Sequence, residues 1–314
     1  MTNSFANKTP RRLGDRVYRL IATGSAAVVI ILMIGLFVEL VANSWPAIEE
    51  FGADFLVTNA WNPVEHEYGA ASSIFGTVVS TLIAMLIAVP LSLVIALFLV
   101  ELAPPVVSRP VGYAIELLAA VPSIIFGMWG LFVFAPFMAD HVQPLLGDVL
   151  GFLPLFSGPP MGIGMLTAGI ILALMVLPFI TAVMRDVFQM VPPVVKEASH
   201  GMGSTTWEVT RKVTVRYGFS GLLGAVFLGL GRAVGETMAV TFVIGNNHEI
   251  SASLFAPGNS IASTLANEFT EASEPIYMSA LIALGLVLFV MTFLIQVAAQ
   301  LWISRAAARA GGGL

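Results

Sequence analysis

The chain has 314 residues, of which 57% are hydrophobic and 11% are charged. Soluble globular domains carry about 25% charged residues, so 14 basic and 19 acidic side chains are too few to cover a soluble fold of this length. The composition therefore excludes an ordinary soluble enzyme and a disordered chain, and it indicates a membrane protein. The absence of cysteine excludes disulfides, thiolate metal sites and cysteine nucleophiles.

Six apolar runs are long enough to span a membrane, because about 20 helical residues cross a hydrocarbon core of roughly 30 Å. In chain order they cover residues 20–41, 74–99, 114–137, 161–184, 219–244 and 278–303. The stretch 141–160 is apolar but cut by four prolines, so we predict that it lies at the membrane interface. The predicted fold class is all-α, a polytopic membrane protein with six transmembrane helices.

Lysine and arginine concentrate in alternate loops. Residues 1–19 and 185–218 hold five each, the loop after the second run holds Arg109, and the C-terminal tail holds two. The other loops, residues 45–73, 138–160 and 245–277, hold no lysine or arginine and 11 acidic residues. The positive-inside rule therefore predicts that both termini and the 185–218 loop face the cytoplasm.

The predicted domain organisation follows from the spans and the charges. It consists of a basic cytoplasmic tail over residues 1–19, a membrane domain over residues 20–304 and a second cytoplasmic tail over residues 305–314. The long cytoplasmic loop 185–218 belongs to the membrane domain.

One cation, Arg232, lies inside the fifth apolar run. A charge at that depth is costly and indicates a functional site. Glu236 follows four residues later, which places it one turn away on the same face of a continuous helix. A purely structural intrahelical ion pair is the alternative. A guanidinium suits an oxyanion because its planar fork donates two parallel hydrogen bonds.

Small residues repeat along the same run at four-residue spacing, including Gly229 in one stripe and Gly231 and Gly235 in another. Such stripes let a neighbouring helix approach closely. They predict tight packing, either within the chain or against a second subunit.

Motifs for enzyme chemistry are incomplete. None of the three lysines follows a glycine, so the chain has no phosphate-binding loop of the ATPase type. The four histidines are scattered, and neither a zinc-protease nor a serine-hydrolase motif is complete. We expect no cofactor, no metal ion and no catalytic residue, which disfavours an intramembrane hydrolase.

The 185–218 loop is predicted to form a helix, a bend and a second helix over residues 206–215. Pro192-Pro193 can end one helix and open the next. Gly201 and Gly203 allow a sharp bend, and Thr205-Thr-Trp-Glu208 matches a capping box. The element is either a plain connector or a docking site for a cytosolic partner.

The segment Lys196-Glu-Ala-Ser-His-Gly-Met-Gly203 resembles the EAA loop of ABC-importer permeases, with serine in place of the second alanine. Residues 116–136, 203–210 and 230–246, together with Trp61-Asn-Pro63, resemble the C-type permease family of phosphate-specific transport (Pst) systems. The resemblance covers residues 10 to 305, nearly the whole chain.

This resemblance implies a type I ABC importer permease fold and uptake of inorganic phosphate across the bacterial cytoplasmic (inner) membrane. It implies a heterodimer with a second homologous permease, two cytoplasmic ATP-binding subunits that hydrolyse ATP, and an extracytoplasmic phosphate-binding protein. Membrane lipid is the remaining expected partner, and nucleic acid is not expected.

The residue patterns and the resemblance together suggest roles for the candidate residues. Those for substrate translocation are Arg232, Glu236 and Thr237; those for coupling to the ATPase are Glu197, Ala198 and Gly203; those for helix packing are Gly229, Gly231 and Gly235. Two other functions stay open: an ABC permease for sulfate or molybdate, and a proton-coupled secondary transporter that works without an ATPase.

Overall fold

The computed structural model describes residues 13–311, and side chains over residues 14–304. Residues 1–12 of the predicted basic tail and residues 312–314 lie outside the described part. Six helical segments in that part are long and apolar enough to cross a membrane, which confirms the predicted all-α, six-span class. These segments are Gly14–Leu56, Ala71–Leu102, Ser123–Leu150, Met165–Gln189, Thr206–Val234 and Pro275–Ser304.

The α-helices in chain order are α1 (Leu13–Phe51), α2 (Ala71–Leu97), α3 (Pro105–Ala119), α4 (Ser123–Trp129), α5 (Ala135–Phe137), α6 (Gln143–Leu150), α7 (Met165–Gln189), α8 (Pro193–Gly201), α9 (Thr206–Val209), α10 (Val215–Val234), α11 (Met238–Ile244), α12 (Ile261–Glu268) and α13 (Pro275–Gly311). Four π-helical turns extend or join them: Phe98–Leu102, Gly130–Phe134, Met138–Val142 and Thr210–Thr214. Two short strands, β1 (Trp61–Asn62) and β2 (Glu67–Tyr68), pair in an antiparallel hairpin.

The third span differs from its prediction over residues 114–137. Helix α3 ends at Ala119, and a new helix begins after Pro122, which disfavours helical geometry in the residue before it. From there α4, α5 and α6 run to Leu150 with π-helical turns between them. The predicted interfacial stretch 141–160 is therefore wrong over its first half, which completes the span. Pro144 fits because it stands in the first turn of α6.

Helix α7 forms the centre of the bundle. It packs against α2 on one side and α10 on another, and its side chains Ile171, Val176 and Ile180 are fully buried. Helix α1 packs against α13, which also contacts α10. The Ser279 hydroxyl of α13 accepts from the Ala47 amide at 3.1 Å and donates to the Asn43 carbonyl at 2.9 Å. The α2–α7–α10 layer therefore fixes the position of the fifth span.

The two ends of the bundle carry different charges. We call the end that contains residues 98–122 and 185–218, with six lysines and arginines, the basic end. The end that contains residues 57–70 and 245–274, with six carboxylates and no lysine or arginine, is the acidic end. At the acidic end, Glu268 accepts from the Trp61 indole, from the Tyr277 hydroxyl at 2.9 Å and from His248 Nε2 at 3.2 Å. Burial raises the pKa of Glu268, but hydrogen bonds from these three donors outweigh it and leave the pKa below its usual value. One ionised carboxylate thus ties the hairpin, the 245–260 loop, α12 and α13 together.

Glycine at position 76 allows α2 to touch the backbone of the acidic end. A Cβ built on Gly76 would overlap the carbonyl oxygen of Asn259, which cannot rotate away. Gly224 on α10 has no atom within 4 Å of the same position. We expect Gly76→Ala to destabilise the protein by about 3 kcal/mol, at the upper end for overpacking.

Gly224→Ala is the matched control, and it should stabilise by roughly 0.5–1 kcal/mol through helix propensity alone. The measurement is the thermal unfolding midpoint of each purified variant in detergent. Equal midpoints for the two variants would contradict the close approach of α2 to Asn259.

Candidate functional site

The apolar run predicted as one helix over residues 219–244 is interrupted directly after the fifth span, which ends at Val234. Helix α10 ends at Val234, residues 235–237 leave the helix, and α11 begins at Met238. The prediction of one continuous helix over residues 219–244 is therefore wrong. Non-helical backbone at membrane depth is tolerated only where protein covers it or where it lines a water-filled cavity. Gly235 and Met238 are exposed on the single chain, so protein of this chain does not cover the break completely.

Arg232 lies in the last turn of α10, just before the break. Its guanidinium carbon stands 5.4 Å from the centre of the Phe179 ring on α7, a cation–π contact. Its Nε is buried and has no hydrogen-bond partner among the described residues. The carbonyl end of α10 also favours a cation at this position. Arg232 is therefore held by an aromatic face while at least one of its donors remains free.

The predicted ion pair between Arg232 and Glu236 is not formed. None of the ion pairs within residues 14–304 includes either side chain. Glu236 Oε1 instead accepts from the Ala239 amide at 3.1 Å and so caps the first turn of α11. The four-residue alignment requires a continuous helix, and the end of α10 at Val234 removes it.

Thr237, the third candidate for translocation, makes local bonds within the break. Its hydroxyl donates to the Gly235 carbonyl at 3.4 Å, and its own carbonyl accepts from the Thr241 hydroxyl at 2.7 Å. The first of these bonds gives a partner to a backbone carbonyl inside the interruption. Arg232, Glu236 and Thr237 thus lie together in the chain at the break, but each has a different partner.

The three glycines predicted for packing lie in different surroundings. A Cβ on Gly229 would stand 2.5 Å from the Ile180 side chain of α7, and one on Gly231 would overlap the Gln296 amide of α13. Both contacts lie within the chain. Gly235 meets no atom of another element within 4 Å and stands at the end of α10. It therefore contributes to the break and does not pack against a helix.

Phe179 and Gln296 were not among the predicted site residues. Gln296 Nε2 donates to the Phe227 carbonyl of α10 at 3.5 Å, next to the glycine stripe. A polar side chain in the last apolar run was a usable signal, since such residues are rare in membrane spans. Phe179 gave no signal, because an aromatic residue in an apolar run is ordinary.

The predicted helix, bend and helix are present at the basic end. Helix α8 ends at Gly201, Gly203 has φ +90°, and Thr205 and Glu208 form the capping box. The second helix does not stop at residue 215 as predicted. It continues through the π-helical turn Thr210–Thr214 into α10.

The outer surface of this loop is unusually apolar for an exposed segment. Val194, Met202 and Trp207 have 72%, 81% and 68% of their surface exposed. Glu197 and Ala198, the two matched residues of the EAA-like motif, are exposed beside them. Exposed apolar groups beside a polar side chain are typical of a protein–protein contact surface.

The chain is similar to known membrane transport proteins. The family model described as binding-protein-dependent transport system inner membrane component matches residues 88–306. The chain is 52% identical to the phosphate transport system permease protein PstC of Mesorhizobium japonicum, over 98% of this chain and 96% of that protein. It is also 52% identical to PstC of Haemophilus influenzae, over 89% and 90% of the two chains.

Its fold is similar to that of a chain in a solved transporter. The crystal structure of a bacterial ABC transporter involved in the import of the acidic polysaccharide alginate superposes with a TM-score of 0.60 at 13% identity. The match covers 94% of this chain and 99% of that one.

Proposed function

The chain belongs to the family of binding-protein-dependent transport system inner membrane components, and on that premise we propose that it is the permease subunit through which an ABC importer takes up phosphate. The observation that carries this function is the 52% identity to two phosphate permeases over nearly the whole chain. This favours phosphate over sulfate or molybdate. Membership of a binding-protein-dependent family likewise disfavours a secondary transporter.

The importer that we propose contains further subunits. The apolar outer surface of the α8 loop suits one of two cytoplasmic ATP-binding subunits. These subunits hydrolyse ATP for a chain that has no phosphate-binding loop of its own. The exposed break at Gly235 suits a second homologous permease, because non-helical backbone and the half-buried charge of Arg232 cannot face lipid. An extracytoplasmic phosphate-binding protein delivers the substrate to the acidic end.

Phosphate passes the break next to Arg232. This arginine stacks on Phe179 and makes no ion pair within residues 14–304, so an entering oxyanion does not have to displace a carboxylate from it. A guanidinium donates to phosphate oxygens through its planar fork. Glu236 accepts a hydrogen bond from the proton that phosphate carries. Sulfate carries no such proton and is repelled by the carboxylate.

Arg232→Gln tests this site. We expect phosphate uptake to fall more than about tenfold, because a hydrogen bond to a charged group contributes roughly 1.5–3 kcal/mol and 1.4 kcal/mol is a factor of about ten. Arg216→Gln, on the same helix but far from the break, should transport normally. Uptake of labelled phosphate is measured in cells without other phosphate carriers, with membrane levels checked by immunoblot.

Glu236→Gln tests whether the charge of Glu236 selects phosphate or whether the side chain only caps α11. The glutamine oxygen can still accept from the Ala239 amide, but the negative charge is removed. We expect impaired phosphate transport and weaker discrimination against sulfate. If Arg232→Gln and Glu236→Gln both reach the membrane at normal levels and transport at the wild-type rate, the break has a structural role only.

The orientation proposed from the basic and acidic loops can be tested with single cysteines, because the chain has none of its own. Asn59 and Asn246 are exposed at the acidic end and Gln189 is exposed at the basic end, whereas Ser199 and Ser260 are too buried to report. An impermeant thiol reagent added to intact cells should label cysteine at Asn59 and Asn246. Cysteine at Gln189 should react only after permeabilisation, and the opposite pattern would invert the topology.

Docking of the α8 loop depends on Gly203, whose φ of +90° is strained for any residue with a Cβ. Gly203→Val should distort the bend at a cost of about 1–3 kcal/mol. ATP hydrolysis by the assembled importer should then lose its stimulation by phosphate-loaded binding protein. Gly201 has no positive φ, and a Cβ at this position would meet no atom within 4 Å. Gly201→Ala should therefore keep the stimulation of ATP hydrolysis. Full stimulation in Gly203→Val would leave the loop as a plain connector.

A further inference from the structure

A nearly buried carboxylate at the basic end joins the α8 loop to two membrane spans. Glu101 lies in the π-helical turn Phe98–Leu102, which ends the second span. Only 11% of its side chain is exposed. A carboxylate so far removed from water requires donors around it, because desolvation of the charge is otherwise uncompensated.

Both donors of Glu101 come from distant parts of the chain. Lys196 of α8 places its Nζ 2.6 Å from Glu101 Oε1. The Thr214 hydroxyl donates to the same oxygen at 3.0 Å, and Thr214 is fully buried at the end of the π-helical turn that leads into α10. A single oxygen atom therefore holds the second span, the α8 loop and the fifth span at one point.

The other charged pairs at this end are more exposed. Lys212 and Glu208 lie 3.0 Å apart with 70% and 40% of their side chains exposed, and such surface pairs contribute little. Arg185 pairs with Glu116, which is 48% exposed, and this pair joins α7 to α3 without touching α8. Lys196 and Glu101 are thus the pair at which α8 is attached to the membrane spans.

Helix α8 has two distinct faces. Lys196 and Ser199, three residues apart, point inward: Lys196 reaches Glu101, and Ser199 is buried. Glu197 and Ala198 are exposed on the outer surface together with the apolar side chains described above. A partner that moves the outer face must move the inner face with it, because α8 is a short rigid helix.

Glu101 and Thr214 each lie in a π-helical turn. Such turns replace regular helical hydrogen bonds, are rare, and occur often at functional sites. Here the two turns bring Glu101 and Thr214, which belong to two separate spans, into direct contact with each other. The second turn leads directly into α10, the helix that carries Arg232 and ends at the break.

We propose that Glu101 is a positioning residue that transmits movement of α8 to the second and fifth spans through Lys196 and Thr214. This inference rests on the proposed transport function. A displacement of α8 by the ATP-binding subunits pulls on Glu101 and Thr214 together. The fifth span then moves as a unit with the second, and the break changes its exposure.

The test uses the complete importer, with its second permease, ATP-binding subunits and binding protein, reconstituted in liposomes. Phosphate uptake and ATP hydrolysis are measured together, and their quotient gives phosphate transported per ATP. We expect Glu101→Gln and Thr214→Val to lower this quotient at least threefold while basal hydrolysis is unchanged. Thr214→Ser, which restores the hydroxyl, should recover it.

Two controls separate transmission from general damage. Glu116→Gln removes a carboxylate at the same end that does not touch α8, and its quotient should equal the wild-type value. The double variant Glu101→Lys with Lys196→Glu restores opposite charges. It should transport more phosphate per ATP than either single variant. The double variant and Thr214→Ser both restore the contact of Glu101 with its partner. Recovery in them therefore shows that the contact matters, even if a single variant is less stable.

The outcomes are distinguishable. Wild-type liposomes that take up no phosphate would overturn the proposed function. Wild-type transport together with unchanged quotients in Glu101→Gln and Thr214→Val would overturn only the role of Glu101. A lowered quotient that neither Thr214→Ser nor the double variant recovers would also overturn it, because the effect would not follow the contact.

Discussion

Backbone amides and carbonyls that leave a helix inside a membrane must find partners other than lipid. This constraint governs the fifth span, where Gly235, Glu236 and Thr237 separate α10 from α11. Glu236 satisfies an amide of α11, and Thr237 bonds to groups within the break. Gly235 remains exposed on the single chain, so water or another subunit must cover it. The break is therefore a place where this chain depends on its surroundings.

The rest of the bundle supports the position of that break. Helix α7 is buried on most sides, and Ile180 sits against Gly229 while Phe179 faces Arg232 one residue earlier. The close glycine contact fixes the distance between α7 and α10, and that distance places the aromatic ring under the guanidinium. A larger residue at position 229 would therefore disturb Arg232 without touching it.

Features that depend on local sequence were predictable. The six spans follow from hydropathy, Arg232 stands out as the single cation in an apolar run, and the Thr205–Glu208 capping box is a four-residue pattern. The bend at Gly203 followed from glycine in the same way. Each of these signals is carried by residues close together in the chain.

Features that depend on tertiary packing were not predictable from one sequence. Gly235-Glu-Thr237 resembles the helical residues beside it, so nothing local indicated the break or the loss of the Arg232–Glu236 pair. The end of the third span was misplaced because Pro144 was interpreted as an interruption, whereas it stands at a helix start after a π-helical turn. Glu101 and Lys196 are 95 residues apart, and only the fold brings them together.

The charge of the acidic end has a consequence for small ions in solution. Its loops supply six carboxylates and no lysine or arginine, which gives that surface a negative potential over about 8 Å at physiological salt. Free oxyanions are depleted near such a surface. An anion bound inside a carrier protein is not repelled in this way, because the carrier protein compensates its charge. In the importer that we propose, free anions are therefore kept away from the end to which the binding protein brings its phosphate.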